Sequence, residues 1–128
     1  MSYTIEVLVN ESIIWQVLGA DYDFEVDVAS ALREEMKILN ATPKPMVIVI
    51  DILAFQDLDI DGILYFAGHG FPPEVANHPQ MRGIIIISTS AVVAAAAKGM
   101  DSNVFGFVKL DIVTSPEAAQ TRARQLLA

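Results

Sequence analysis

The sequence has no cysteine and is short of basic side chains. Eight Lys and Arg stand against sixteen Asp and Glu, which gives a net charge of −8. The lack of cysteine excludes a disulfide framework, a cysteine-zinc site and a thiol nucleophile. The few basic residues argue against nucleic acid, whose phosphates need clustered Lys and Arg, and against an anionic membrane surface.

Long uncharged runs are also missing. The longest extends over 15 residues, from Gly83 to Ala97, and is broken by the hydroxyl residues at 88–90. A membrane-spanning helix needs about 20 apolar residues, so a buried strand followed by a buried helix is expected here. The first ten residues carry Glu6 and no basic region, which is unlike a signal peptide. These patterns predict a cytoplasmic protein.

The apolar content is high, at 53% of 128 residues, and predicts one domain covering residues 1–128. Periodicity divides the chain into five strands. Two β-rich runs predict an opening hairpin, and two continuous apolar runs predict strands buried on both faces. The five expected strands are Tyr3–Val9, Ser12–Leu18, Met46–Ile50, Ile84–Ile87 and Val104–Leu110.

Four helices are expected between and after these strands. The predicted ranges are about 24–39, 59 or 61 to 67, 91–98 and 116–127, the last with a capping box at Thr114–Glu117. The order ββαβαβαβα predicts an α/β fold, in which a mostly parallel five-stranded sheet carries the helices.

Ligands of such sheets gather at the carboxyl ends of the parallel strands. The sequence places acidic and hydroxyl side chains at that edge, and eight of its sixteen acidic residues lie in the windows 21–27 and 51–61. The candidate edge residues are Asp21, Asp23, Asp51, Ser88, Thr89 and Ser90. Both a binding role and simple helix capping account for them, because Asp, Ser and Thr are preferred caps.

Catalytic and metal-binding signals are weak. No GxSxG, Walker A, GxGxxG or HExxH pattern occurs, and carboxylates without defined spacing are poor metal predictors. His69 and His78 lie in a predicted loop over 68–83, where a local hydrogen bond is the commoner role of histidine. We therefore expect no catalytic residue, no metal and no cofactor.

The window from Asp51 to Ile63 resembles the STAS domain of bacterial anti-sigma-factor antagonists. That family has the pattern D-L-S-x-V-x-F-I-D-S-S-G-L, and this chain matches it without a gap, with identity at Asp51, Asp59 and Gly62. Ile60 and Asp61 replace the two serines, the second of which is phosphorylated in the family. The resemblance therefore implies a STAS domain that lacks this phosphorylation. Asp61 either resembles a permanently phosphorylated residue or is an ordinary first-turn helix residue, and the second interpretation is preferred because one Asp carries less charge than phosphate.

Other positions resemble a divergent branch, the bacterial STAS-like proteins of unknown function. They are Trp15, His78-Pro79 and the Thr114–Ala118 segment. The resemblance implies a non-enzymatic regulatory domain that binds a protein partner at the start of the second helix. The net charge favours a basic surface on that partner. The expected contact residues are Asp57, Asp59, Asp61 and Gly62.

An alternative function is the binding of a small apolar ligand or lipid. STAS-like sheets are similar to Sec14-type lipid-binding folds, and this chain is unusually apolar. The ligand would lie between the sheet and the second helix, under the 68–83 loop. The surplus of apolar residues is also compatible with a homodimer.

Overall fold

The computed structural model describes residues 3–23, 26–54, 78–91, 93–95 and 110–128. This part of the chain has an α/β fold, in which a five-stranded sheet has helices on both faces. The strands are β1 (Tyr3–Leu8), β2 (Ile13–Leu18), β3 (Met46–Asp51), β4 (Met81–Ile87) and β5 (Leu110–Val113). The helices are α1 (Asp27–Ala41) and α2 (Pro116–Leu127), with a 3-10 helix at Val9–Glu11 and further helical residues at 91 and 93–95.

The strands lie in the sheet in the order in which they occur along the chain. β1 and β2 are antiparallel, with Tyr3 opposite Leu18 and Leu8 opposite Ile13. The three other strand pairs are parallel, so the sheet is mixed. The predicted α/β class and the opening hairpin are confirmed.

The hairpin turns without a glycine. The 3-10 helix Val9–Glu11 follows β1, and Ser12 then adopts a left-handed backbone conformation with φ of 59°. Serine is an uncommon residue in this region, since its Cβ crowds the backbone there. This turn shortens both strands by one residue relative to the sequence prediction.

Alternating side chains of the central strands fill two separate cores. Ile48 and Ile84 face α1, where they pack with Val28 and Leu39. Their neighbours along the strands, including Val49, point to the opposite face and α2. Residues i and i+2 of a strand share a face, so both faces of β3 and β4 must be apolar, as their continuous apolar runs predicted.

Small side chains bring α2 close to the sheet. Ala119 and Ala123 are completely buried against β3 and β4. The helix is capped by Ser115, whose Oγ accepts a hydrogen bond from the amide of Ala118, and Pro116 occupies its first turn. The cap is thus Ser115 rather than Thr114, which is exposed.

Several predicted boundaries were wrong. Residues 81–83 were expected in a loop but belong to β4, and the last strand continues to Val113, so that Asp111 lies inside it. Helix α1 begins at Asp27 rather than near residue 24 and ends at Ala41. The predicted second helix, residues 96–98 of the third and residues 104–109 of the last strand lie outside the described residues.

Candidate functional site

The register of the parallel strands brings their carboxyl ends to one edge. Val17, Asp51, Ile87 and Val113 lie side by side across β2, β3, β4 and β5. The segments that follow these positions carry the six residues predicted for this edge. We call them the acidic edge: Asp21, Asp23, Asp51, Ser88, Thr89 and Ser90.

Asp23 and Asp27 hold the chain at the start of α1. The Asp23 carboxylate accepts a hydrogen bond from the amide of Val26 at 3.2 Å, and the Asp27 carboxylate accepts one from the amide of Asp23 at 2.8 Å. Such reciprocal bonds satisfy amides that have no partner within the helix. Asp23 therefore has a local capping role while its side chain stays exposed to solvent.

Asp51 and the two serines also bond to nearby amides. Asp51 Oδ1 accepts from the amide of Leu53 at 2.9 Å, and Ser88 Oγ from the amide of Ser90 at 3.1 Å. Ser90 Oγ caps the following helical segment by accepting from the amide of Val93 at 3.3 Å. Local hydrogen bonds to backbone amides thus engage four of the six acidic-edge residues, and Ser90 among them caps a helical segment, while Asp21 and Thr89 are exposed.

The residues predicted to contact the partner are not described by the structure. Asp57, Asp59, Asp61 and Gly62 lie outside the described residues, as does His69. Most of the predicted lipid-covering loop, residues 68–77, lies there too. The partner contact and the lipid pocket both remain predictions.

A buried carboxyl group lies between α1 and the sheet. Glu35 is 4% exposed and belongs to the core-facing stripe of α1, together with Val28, Ala31 and Leu39. Burial raises the pKa of the Glu35 carboxyl to about 8, because removal from water disfavours the ionised form. The burial of Glu35 was not predicted from the sequence, although the spacing 28, 31, 35 and 39 places position 35 on the core face of a helix.

A second buried polar side chain points into the same layer. Gln16 of β2 lies two residues from both Ile14 and Leu18, so it shares the face of the strand that packs towards α1. Its side chain is 3% exposed. Its Oε1 atom has no hydrogen-bond partner in the described structure. An unsatisfied buried amide oxygen of this kind disfavours folding and is rare in natural proteins.

Two tyrosines border this layer. The rings of Tyr3 and Tyr22 meet edge to face with centroids 5.8 Å apart, and the hydroxyl of Tyr3 lies 2.7 Å from that of Ser30 on α1. Burial, followed by the nearby charge of Glu35, raises the pKa of Tyr22 well above its usual range. Tyr22 therefore stays neutral at physiological pH.

Both ring nitrogens of His78, at the opposite edge of the sheet, make hydrogen bonds. Its Nδ1 accepts from the amide of Gln80 at 3.1 Å, so the neutral ring carries its proton on Nε2, which donates to Asn40 Oδ1 at 2.8 Å. Both ring nitrogens are thus engaged in joining two segments. An open depression of about 480 Å³ adjoins them, lined by residues 39–43 and 78–80.

Groups of three or more metal-ligating side chains do not occur among the described residues. No helix in the described ranges has the length and apolar character needed to cross a membrane.

Comparison of the sequence with protein-family models and with curated proteins finds no match. The function must therefore be argued from the chain's own residues.

Proposed function

We propose that this chain is a non-enzymatic regulatory domain of STAS type, which binds a protein partner mainly through Asp57, Asp59 and Asp61 in the segment that follows Asp51 of the acidic edge. The strand register is the observation that carries the proposal, because it joins Asp51 to the ends of the neighbouring strands. The segment that follows Asp51 contains Asp57, Asp59 and Asp61, and it is the segment that resembles the STAS pattern.

The acidic edge offers negative charge to a partner. Asp21 and Asp23 are exposed there, and local hydrogen bonds fix Asp23 and Asp51 in position. Charges that are already ordered lose little conformational freedom when a partner binds. A basic partner surface complements them, and attraction between the two surfaces accelerates association at low ionic strength.

A charge-reversal experiment tests this proposal. The test variant changes Asp57, Asp59 and Asp61 to Lys, and the control changes Glu6, Glu34 and Glu117 to Lys. Both variants change the net charge equally, and the three control residues are all exposed. Circular dichroism first establishes that both variants are folded.

Partners retained by the wild-type chain on an affinity column are purified and titrated calorimetrically with each variant. We expect the test variant to lose at least about tenfold in affinity, roughly 1.4 kcal/mol, and the control to lose much less. Equal losses would attribute binding to net charge alone. An unchanged affinity of the test variant would refute Asp57, Asp59 and Asp61 as the binding surface.

A further inference from the structure

The interface between α1 and the sheet contains polar groups that its packing does not require. Glu35 and Gln16 are both almost fully buried, and the Gln16 Oε1 atom is unpaired. Their neighbours on the same faces, such as Ile14 and Leu39, are apolar. Two buried polar side chains thus face the layer between α1 and the sheet, one from each side, and burial of such groups disfavours folding.

The groups that face Glu35 supply no positive charge. Among the described residues, Tyr22 of the β2–α1 connection lies near Glu35, and Asp27 and Tyr3 in turn lie near Tyr22, so none of these neighbours is a cation. The strands β2, β3 and β4 present only uncharged side chains to this layer, namely Gln16, Ile14, Leu18, Met46, Ile48, Ile50, Ile84 and Ile86.

The basic residues of α1 lie elsewhere on the helix, since Arg33 and Lys37 are exposed. The two ion pairs of the described structure, Arg122–Asp111 and Arg124–Glu11, also lie away from this layer. An ionised Glu35 would therefore be an unpaired carboxylate in apolar surroundings, which is strongly unfavourable.

We propose that the docking of α1 on the sheet is linked to a proton on Glu35. The helix occupies its described position while Glu35 is neutral, and it loosens when Glu35 ionises. The residue lies between Ala31 and Leu39 on the buried stripe and is 4% exposed, so full hydration of its carboxylate requires this part of α1 to move away from the sheet. The device involves none of the acidic-edge residues and stands independently of the proposed partner binding.

The direction of the pH dependence follows from the protonation of the two states. The carboxyl has an ordinary pKa of 4.5, and burial raises its pKa to about 8 in the folded chain. The folded state thus holds the proton more tightly than the unfolded state. Stability from neutral Glu35 is fully present below pH 4.5 and is lost as the pH rises through about 8.

The first test compares Glu35→Gln with Glu34→Gln in urea unfolding between pH 5 and pH 8.5. Glu34 is the adjacent, exposed residue, so the control removes the same charge from the same helix. Relative to E35Q, we expect the unfolding equilibrium constant of the wild type to rise by at least about tenfold over this range. E34Q should follow the wild type. Parallel curves for the wild type and E35Q would overturn the proposal.

The second test follows α1 itself. Hydrogen exchange of the amides of residues 27–41, corrected for intrinsic rates, should accelerate as the pH rises from 5 to about 8 in the wild type and not in E35Q. If E35Q does not fold, Glu35→Met gives the same comparison. Carbon-13 NMR of the Glu35 carboxyl provides a direct check, and a titration midpoint near its ordinary value would overturn the proposal. Unchanged α1 exchange in the wild type would do the same.

Discussion

The Nε2 atom of His78 lies 2.8 Å from Oδ1 of Asn40, which fastens the turn before β4 to the last turn of α1. The same ring accepts the amide of Gln80 through Nδ1. One side chain thus orders two segments that are 38 positions apart in the sequence. This arrangement assigns His78 a structural role.

Substitutions of His78 should distinguish the contributions of its two hydrogen bonds to stability. His78→Ala loses both, and we expect the free energy of unfolding to fall by about 1–2 kcal/mol, since each net hydrogen bond contributes about 1 kcal/mol. His78→Asn should fall between the wild type and His78→Ala, because an Asn side chain can still accept the amide two residues later. Urea unfolding at pH 7 measures both. Full wild-type stability of His78→Ala would show that neither bond matters.

Removal of the Gln16 side-chain amide, whose Oε1 atom has no hydrogen-bond partner among the described residues, should stabilise the chain. Gln16→Leu replaces an unsatisfied oxygen in an apolar layer, and we expect a gain of about 1 kcal/mol in the free energy of unfolding. Gln120→Leu on α2, where the side chain is only half-buried, is the matched control and should change stability by less than about 0.5 kcal/mol. A destabilised Gln16→Leu variant would mean that Gln16 makes an important bond.

The cap of α2 can be assigned by two alanine variants. Ser115→Ala removes the Oγ that accepts the amide of Ala118 and should lower the free energy of unfolding by about 1 kcal/mol. Thr114→Ala should have almost no effect, because this side chain is exposed. Thermal unfolding followed by circular dichroism compares the two. The reverse order would restore the cap that the sequence had predicted.

The contact between α2 and the sheet should not tolerate larger side chains. Ala123 is completely buried, so Ala123→Leu must push α2 outwards and should destabilise the chain by about 1–3 kcal/mol. Ala29→Leu on α1 is a suitable control, since Ala29 is exposed and leucine is also a good helix former. Chemical denaturation of both variants checks this, and equal stability would contradict the close packing.

The sequence predicted those features that depend on local pattern. The apolar runs of β3 and β4 identified strands buried on both sides. A helix cap was expected among Ser88, Thr89 and Ser90, and Ser90 provides it. The end of β5 was missed because Asp111 looked like a residue beyond the strand. Its charge is compensated by Arg122, eleven residues later on α2, at 3.0 Å. A contact of this kind is invisible to periodicity.

The candidate site was predicted only in part. The order of elements predicted that the carboxyl ends of the parallel strands meet at one edge, and the strand register confirms this alignment. The burial of Glu35 was not predicted, because Glu is almost always exposed and its neighbours Glu34 and Lys37 lie on the outward face of α1. The spacing of position 35 along α1 could have predicted that Glu35 is buried. The burial of Gln16 follows only from the pairing of β2 with both β1 and β3.

The opposite placement of α1 and α2 has a consequence for biosynthesis. The face formed by Val47, Val49, Ile85 and Ile87 is packed against α2, whose residues are made after all five strands. During translation α2 therefore becomes able to cover this apolar face only after all five strands are made. Helix α1 is made earlier and can already cover the opposite face of the sheet. A nascent chain stalled before residue 116 lacks the cover that α2 gives these side chains in the described part of the structure, and exposed apolar surface of this kind favours aggregation.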